Sequence, residues 1–79
     1  MDIVQTIQEG GRTLTTVEIQ YVDSKGRTSV RETEPYEIKE GKYWGYCYVR
    51  AEIRQFKLEN IISASLTSRK YSPRFPVKL

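Results

Sequence analysis

The stretch Gly45-Tyr46-Cys47-Tyr48-Val49-Arg50-Ala51-Glu52-Ile53-Arg54-Gln55-Phe56-Lys57-Leu58-Glu59-Asn60-Ile61 sets three aromatic rings and three cationic side chains on a strand-like alternation of apolar and polar residues. Period-two patterning of this kind marks strands with one face turned to a core. Rings beside arginines are also what a surface needs to stack bases and neutralise phosphates. The same seventeen residues therefore bear on both fold and function.

The alternation extends outward from this stretch. Trp44, Tyr46, Tyr48 and Arg50 fall on one face of a strand running from Tyr43 to Arg50, with Tyr43, Gly45, Cys47 and Val49 on the other. A further strand is expected over Ile53 to Leu58 and a last short one over Ile61 to Leu66. Upstream, Val17, Ile19 and Tyr21 alternate with polar neighbours, and Asp23-Ser24-Lys25-Gly26 is a turn. A returning strand spans roughly Thr28 to Thr33, and Pro35 places Glu34-Pro35 at a bend or edge. Tyr36 and Ile38 continue an extended piece up to the next turn, Glu40-Gly41-Lys42. One short helix precedes the strands, over residues 2–10, with Ile3, Val4 and Ile7 on one face and Gly10-Gly11 as its stop. A helix with several short strands is the pattern of a small closed or partly open barrel. Residues 1–67 form that unit, and residues 68–79 read as a basic, extended C-terminal tail with two prolines, pinned to the surface by Tyr71 and Phe75.

Composition narrows the function. Seventy-nine residues make one small domain with a thin core. The chain has no histidine, and its single cysteine, Cys47, forms no internal disulfide and belongs to no zinc-type cluster. No cofactor, metal or catalytic group is expected, and an enzyme is the least supported class. The apolar runs fall short of a membrane span, and Met1-Asp2-Ile3-Val4-Gln5 lacks the basic start of a signal peptide, so a cytoplasmic setting is expected. The net charge is +3, and residues 60–79 carry four bases and no acid.

The run from Gly45 to Ile61 resembles the second half of a WYL domain, a family with an aromatic-Cys strand end, an arginine, a turn and an Arg-x-Phe-x-Leu-Asp-Arg-Ile segment. Tyr46, Cys47, Arg50, Arg54, Phe56, Leu58 and Ile61 match it, with Lys57 and Glu59 as conservative replacements. Val17 to Tyr21 is similar to the family's first strand, and Pro35-Tyr36 to its proline-aromatic step. The Trp-Tyr-Leu triplet that names the family is not intact, and Asn60 stands where an arginine is usual. The resemblance implies a five-stranded SH3/Sm-like barrel and an accessory or regulatory role in bacterial or phage proteins such as transcription regulators and helicases. It also implies binding of nucleic acid, notably single-stranded DNA, or another anionic ligand.

Arg54 shares a face with Phe56 and Leu58. A cation does not sit unpaired in an apolar core, so Arg54 belongs at the barrel's open end. There it either offers its planar fork to a phosphate or pairs with Glu18, Glu32 or Glu52. Arg50 and Lys57 extend the same patch if their strands are adjacent, and Arg31 is a further candidate, flanked by Glu32 and Glu34. Trp44, Tyr46, Tyr48 and Tyr36 are candidate stacking rings, with core filling as the competing role. The expected partners are single-stranded DNA or RNA and a neighbouring enzymatic or regulatory domain. The competing functions are a sensory domain for a small anion or nucleotide and a protein-binding barrel.

Overall fold

The computed structural model describes all 79 residues. Helix α1 (Ile3–Thr13) is followed by strands β1 (Thr15–Val22), β2 (Thr28–Lys39), β3 (Lys42–Cys47) and β4 (Glu52–Lys57), a 3-10 turn (Leu58–Asn60) and β5 (Ile61–Lys70). Every paired strand is antiparallel, in the order β4-β3-β2-β1-β5.

The helix starts where local chemistry directs. Asp2 accepts from the Gln5 backbone N–H at 2.7 Å, and the Gln5 side chain accepts from the Asp2 N–H at 3.0 Å, a reciprocal capping box. It does not stop at Gly10-Gly11, as the sequence suggests, but runs to Thr13 and ends at Leu14 in the left-handed conformation (φ 53°). The two glycines serve close approach instead. A Cβ on Gly10 would lie 2.5 Å from Val17 Cγ2 and 2.9 Å from the Thr15 carbonyl oxygen, and one on Gly11 would strike Leu79. Their bare backbone lets α1 sit against β1 and the end of the chain.

Inward-facing residues of the sheet make the core. Ile7 of α1 packs with Val17, Ile19, Tyr43, Cys47, Phe56 and Ile61, all buried. The Tyr43 hydroxyl shares a hydrogen bond with Thr33 at 2.7 Å, and Thr33 donates to the Val17 carbonyl at 2.9 Å, so this core phenol carries no unmet polar group.

The sheet is curled but not closed. Tyr21 on β1 meets Phe56 on β4 edge-on with ring centroids 5.1 Å apart, although two strands intervene. In a flat sheet three strand spacings would separate them by about 14 Å. Yet β4 and β5 share no ladder, so the expected closed ring of hydrogen bonds gives way to an open seam bridged by side chains.

Three strand boundaries differ from the sequence reading. β3 ends at Cys47, not Arg50, because a turn spans residues 48–51. Ala51 there takes φ 55° and donates its N–H to the Cys47 carbonyl at 2.7 Å. The pieces before and after Pro35 form one twelve-residue strand. Proline is accommodated because β2 pairs with β1 only as far as Thr33, and its register with β3 shifts between Pro35 and Glu37. β5 continues past Leu66 to Lys70.

The chain after β5 lies on the sheet. The Tyr71 hydroxyl donates to the Pro35 carbonyl at 2.7 Å, and Lys78 donates its N–H to the Tyr36 carbonyl at 2.7 Å. No helix is long and apolar enough to cross a membrane.

Candidate anion-binding site

Strand register assembles one cluster of cations. Arg54 stands opposite Gly45, two residues from Phe56, and so points to the core side of β4. Arg31 stands opposite Ile19 and Ser29 opposite Tyr21, which puts all four on the core side of β1 and β2. Arg50 projects from the 48–51 turn that joins β3 to β4. These residues meet around a pocket of about 100 Å³, with Asp23 and Phe56 completing its wall.

The three arginines of this pocket lack counter-ions. The molecule's four ion pairs are Arg12–Glu9, Arg27–Asp23, Arg69–Glu32 and Arg74–Glu34. None involves Arg31, Arg50 or Arg54. The internal bridges available to Arg54 from the sequence, to Glu18, Glu32 or Glu52, do not form. Glu32 instead lies 3.8 Å from Arg69 and accepts from the Thr16 hydroxyl. Arg31 makes one protein hydrogen bond, donating to the Val30 carbonyl at 3.0 Å.

Asp23, the one carboxylate on the pocket wall, is already engaged. It accepts from the backbone N–H groups of Arg27 and Lys25 and from Arg27 Nε. The Arg27 N–H, with these other donors, outweighs desolvation and holds its carboxyl below the usual range. Its acceptor capacity is turned to its own turn and away from the three arginines.

A second polar cluster occupies the opposite face of the sheet. Glu34 is almost fully buried, at 2% exposure, and accepts from the Tyr36 and Tyr48 hydroxyls at 2.6 Å each and from Arg74 Nε at 3.0 Å. Burial pushes its pKa upward, but the donors from Tyr36, Tyr48 and Arg74 together prevail and lower it. Burial, reinforced by bonding to that carboxylate, pushes Tyr36 and Tyr48 up to about 12. The Arg74 guanidinium lies over the Tyr46 ring at 4.0 Å, and that of Arg69 over Tyr48 at 4.2 Å.

The eight residues singled out in the sequence thus separate. Arg31, Arg50 and Arg54 converge. Tyr46 and Tyr48 lie on the other face beneath arginines of the C-terminal segment, and Tyr36 is buried against Tyr71 and Phe75. Trp44 is half-buried on that outer face, opposite Gln55 and Glu37. Lys57 stands opposite Lys42, beside a different depression shared with Glu40 and Glu59. The sequence reading did not single out Tyr21, Ser29, Asp23 or Phe56 as site residues. The Asp23–Gly26 turn carried the signal, since a hairpin about it sets Tyr21 across from Ser29.

Comparison with known proteins agrees with this architecture. A family model of the WYL domain matches residues 2–66. Among solved structures, the chain is similar to proteasome accessory factor B/C (PafBC) of Arthrobacter aurescens, with a TM-score of 0.73 and 18% identity. That match covers 92% of this chain and 13% of the PafBC chain, and at such identity the likeness is one of fold. Among curated proteins none matches. Matched by the family model over almost all of its folded sheet and helix, the chain belongs to the WYL domain family.

Proposed function

We propose that this WYL domain is an accessory or regulatory module that binds single-stranded nucleic acid, DNA in the first instance, and modulates a linked enzyme or regulator. The observation that carries the reading is the convergence of Arg31, Arg50 and Arg54 on one pocket with no carboxylate paired to any of them. Three crowded guanidiniums repel one another, and an incoming phosphate relieves that repulsion while accepting their hydrogen bonds. Binding would proceed by electrostatic capture of the backbone, with release of counter-ions and little base-edge readout.

The size of the pocket favours a polymer over an enclosed small molecule. Sites that engulf drug-sized ligands measure roughly 300–1,000 Å³. The arginine pocket, at about 100 Å³, holds one phosphate-sized group and leaves the rest of its ligand outside. Tyr21 is the half-buried ring beside the arginines, placed to contact a sugar or base that follows. The curled sheet is read as an SH3/Sm-like barrel with its seam open between β4 and β5. Binding is favoured over catalysis because Asp23 and Glu34, the acids of the two polar clusters, are both filled with internal donors.

The test is fluorescence anisotropy of an internally labelled single-stranded oligonucleotide with wild-type chain and Arg54→Ala. The wild type is expected to bind at low salt, and Arg54→Ala, with an unchanged circular dichroism spectrum, to bind about tenfold more weakly. Absence of binding at low salt, or a folded Arg54→Ala that binds as the wild type does, contradicts the reading. Saturable binding of a mononucleotide with no gain from a longer strand would point instead to a sensory domain.

A further inference from the structure

The wall of the arginine pocket offers donors almost exclusively. Beside Arg31, Arg50 and Arg54 it is lined by Tyr21 and Ser29, two hydroxyl-bearing residues that stand opposite each other on β1 and β2. Four of the six tyrosine hydroxyls, those of Tyr36, Tyr43, Tyr48 and Tyr71, bond within the protein. That of Tyr21 has no protein partner, and neither has the Ser29 hydroxyl. The one carboxylate at the rim, Asp23, is occupied by Arg27 and Lys25.

We propose that this pocket seats a terminal phosphate monoester, so that the domain holds the phosphorylated end of a strand more tightly than an internal backbone phosphate. The inference rests on the nucleic-acid reading given above and names the chemical group that reading leaves open. Three guanidiniums, each a multiple donor, together with two hydroxyls exceed what an internal phosphodiester accepts through its two free oxygens and single charge. A monoester presents three strong acceptor oxygens and a charge between about −1.5 and −2 at neutral pH. The pocket's small volume, about 100 Å³, suits a single phosphate group at the end of a chain. The arginines supply attraction to any phosphate. Tyr21 and Ser29 supply the additional donors that only the third oxygen uses.

Internally labelled oligonucleotides of one sequence, bearing a 5′-phosphate, a 3′-phosphate or hydroxyls at both ends, are compared with a circular strand. Binding is measured for the full chain and for Tyr21→Phe/Ser29→Ala, a pair that removes two hydroxyls and keeps the Tyr21–Phe56 ring contact. One phosphorylated end, of either polarity, is expected to bind at least tenfold more tightly than the hydroxyl-ended strand, and the circle no better than the latter. In the double variant the ratio of affinities for phosphate-ended and hydroxyl-ended strands is expected to fall about tenfold. Equal affinity for the circle and all linear forms overturns end recognition while leaving the single-strand reading intact. A wild-type preference that persists undiminished in the double variant overturns the roles of Tyr21 and Ser29. Binding of a mononucleotide monoester without binding of any strand supports the phosphate seat and overturns the polymer reading. Binding of neither overturns both.

Discussion

Arg54 and Glu34 show how the sheet treats charge on its two sides. Arg54 lines an open pocket without a carboxylate, whereas Glu34 is buried and meets three donors. The position of Arg54 was legible because alternation alone ties it to Phe56, and an unpaired cation cannot enter the core. The position of Tyr46 and Tyr48 was not, because Arg74 and Arg69, more than twenty residues downstream, supply what covers their rings. No local pattern encodes that meeting. Glu34 leads to a pH prediction. Its folded pKa lies below the ordinary carboxylate value of about 4.3, so its stabilising effect is complete above that value and is lost as pH falls through the folded one. Glu34→Gln is expected to cost about 2–3 kcal/mol at neutral pH and to flatten the acid limb of stability. Urea unfolding of both forms from neutral pH to below pH 4 checks this, and parallel acid limbs would contradict it.

The strand connections show which signals survive into structure. The sequence marks Glu40-Gly41-Lys42 as a turn; the structure confines the loop to Glu40-Gly41, a two-residue hairpin between the paired residues Lys39 and Lys42, with φ 53° at Glu40 and 75° at Gly41. Positive φ at both central residues identifies the type I′ geometry, for which Asn-Gly is the favoured pair. Glu40→Asn is therefore expected to raise stability by about 0.5–1 kcal/mol, read as a higher urea midpoint at unchanged slope. An unchanged or lower midpoint contradicts the turn assignment. The turn after Cys47 escaped the sequence because Tyr48 and Val49 are good strand formers and continue the alternation of β3. Only Ala51 in a left-handed conformation, with its bond to Cys47, breaks the run. Gly10-Gly11 misled in the opposite sense. Helix breakers by propensity, they are kept in α1 by the close packing of β1 and Leu79.

Across the molecule, the unpaired arginines lie on the core side of the sheet and the Glu34 cluster on the other. The final segment acts as a strap. Tyr71 bonds to Pro35, Arg74 to Glu34, and Phe75 packs edge-on against Tyr36 with centroids 5.4 Å apart. The sequence offers Tyr71 and Phe75 as the segment's anchors, but two prolines and no periodicity say nothing of the residues they dock against. Deleting residues 71–79 exposes Tyr36 and leaves the Glu34 carboxylate with two neutral donors and no cation. The expected cost is about 3–5 kcal/mol, against a total of about 4–12 kcal/mol for a chain of this length. Thermal unfolding should show a much lower or non-cooperative transition, and an unchanged midpoint would refute the strap.

If the unpaired Arg31, Arg50 and Arg54 capture phosphate, the salt dependence of strand binding reports it. Each phosphate contact on a single strand contributes a slope of about −0.7 in log affinity against log salt. Replacing Arg31, Arg50 and Arg54 together by glutamine, in a chain that unfolds as the wild type does, is expected to weaken binding at least tenfold and to make that slope shallower by about 0.7, the contribution of the one phosphate they share. An affinity and slope equal to those of the wild type would contradict the account.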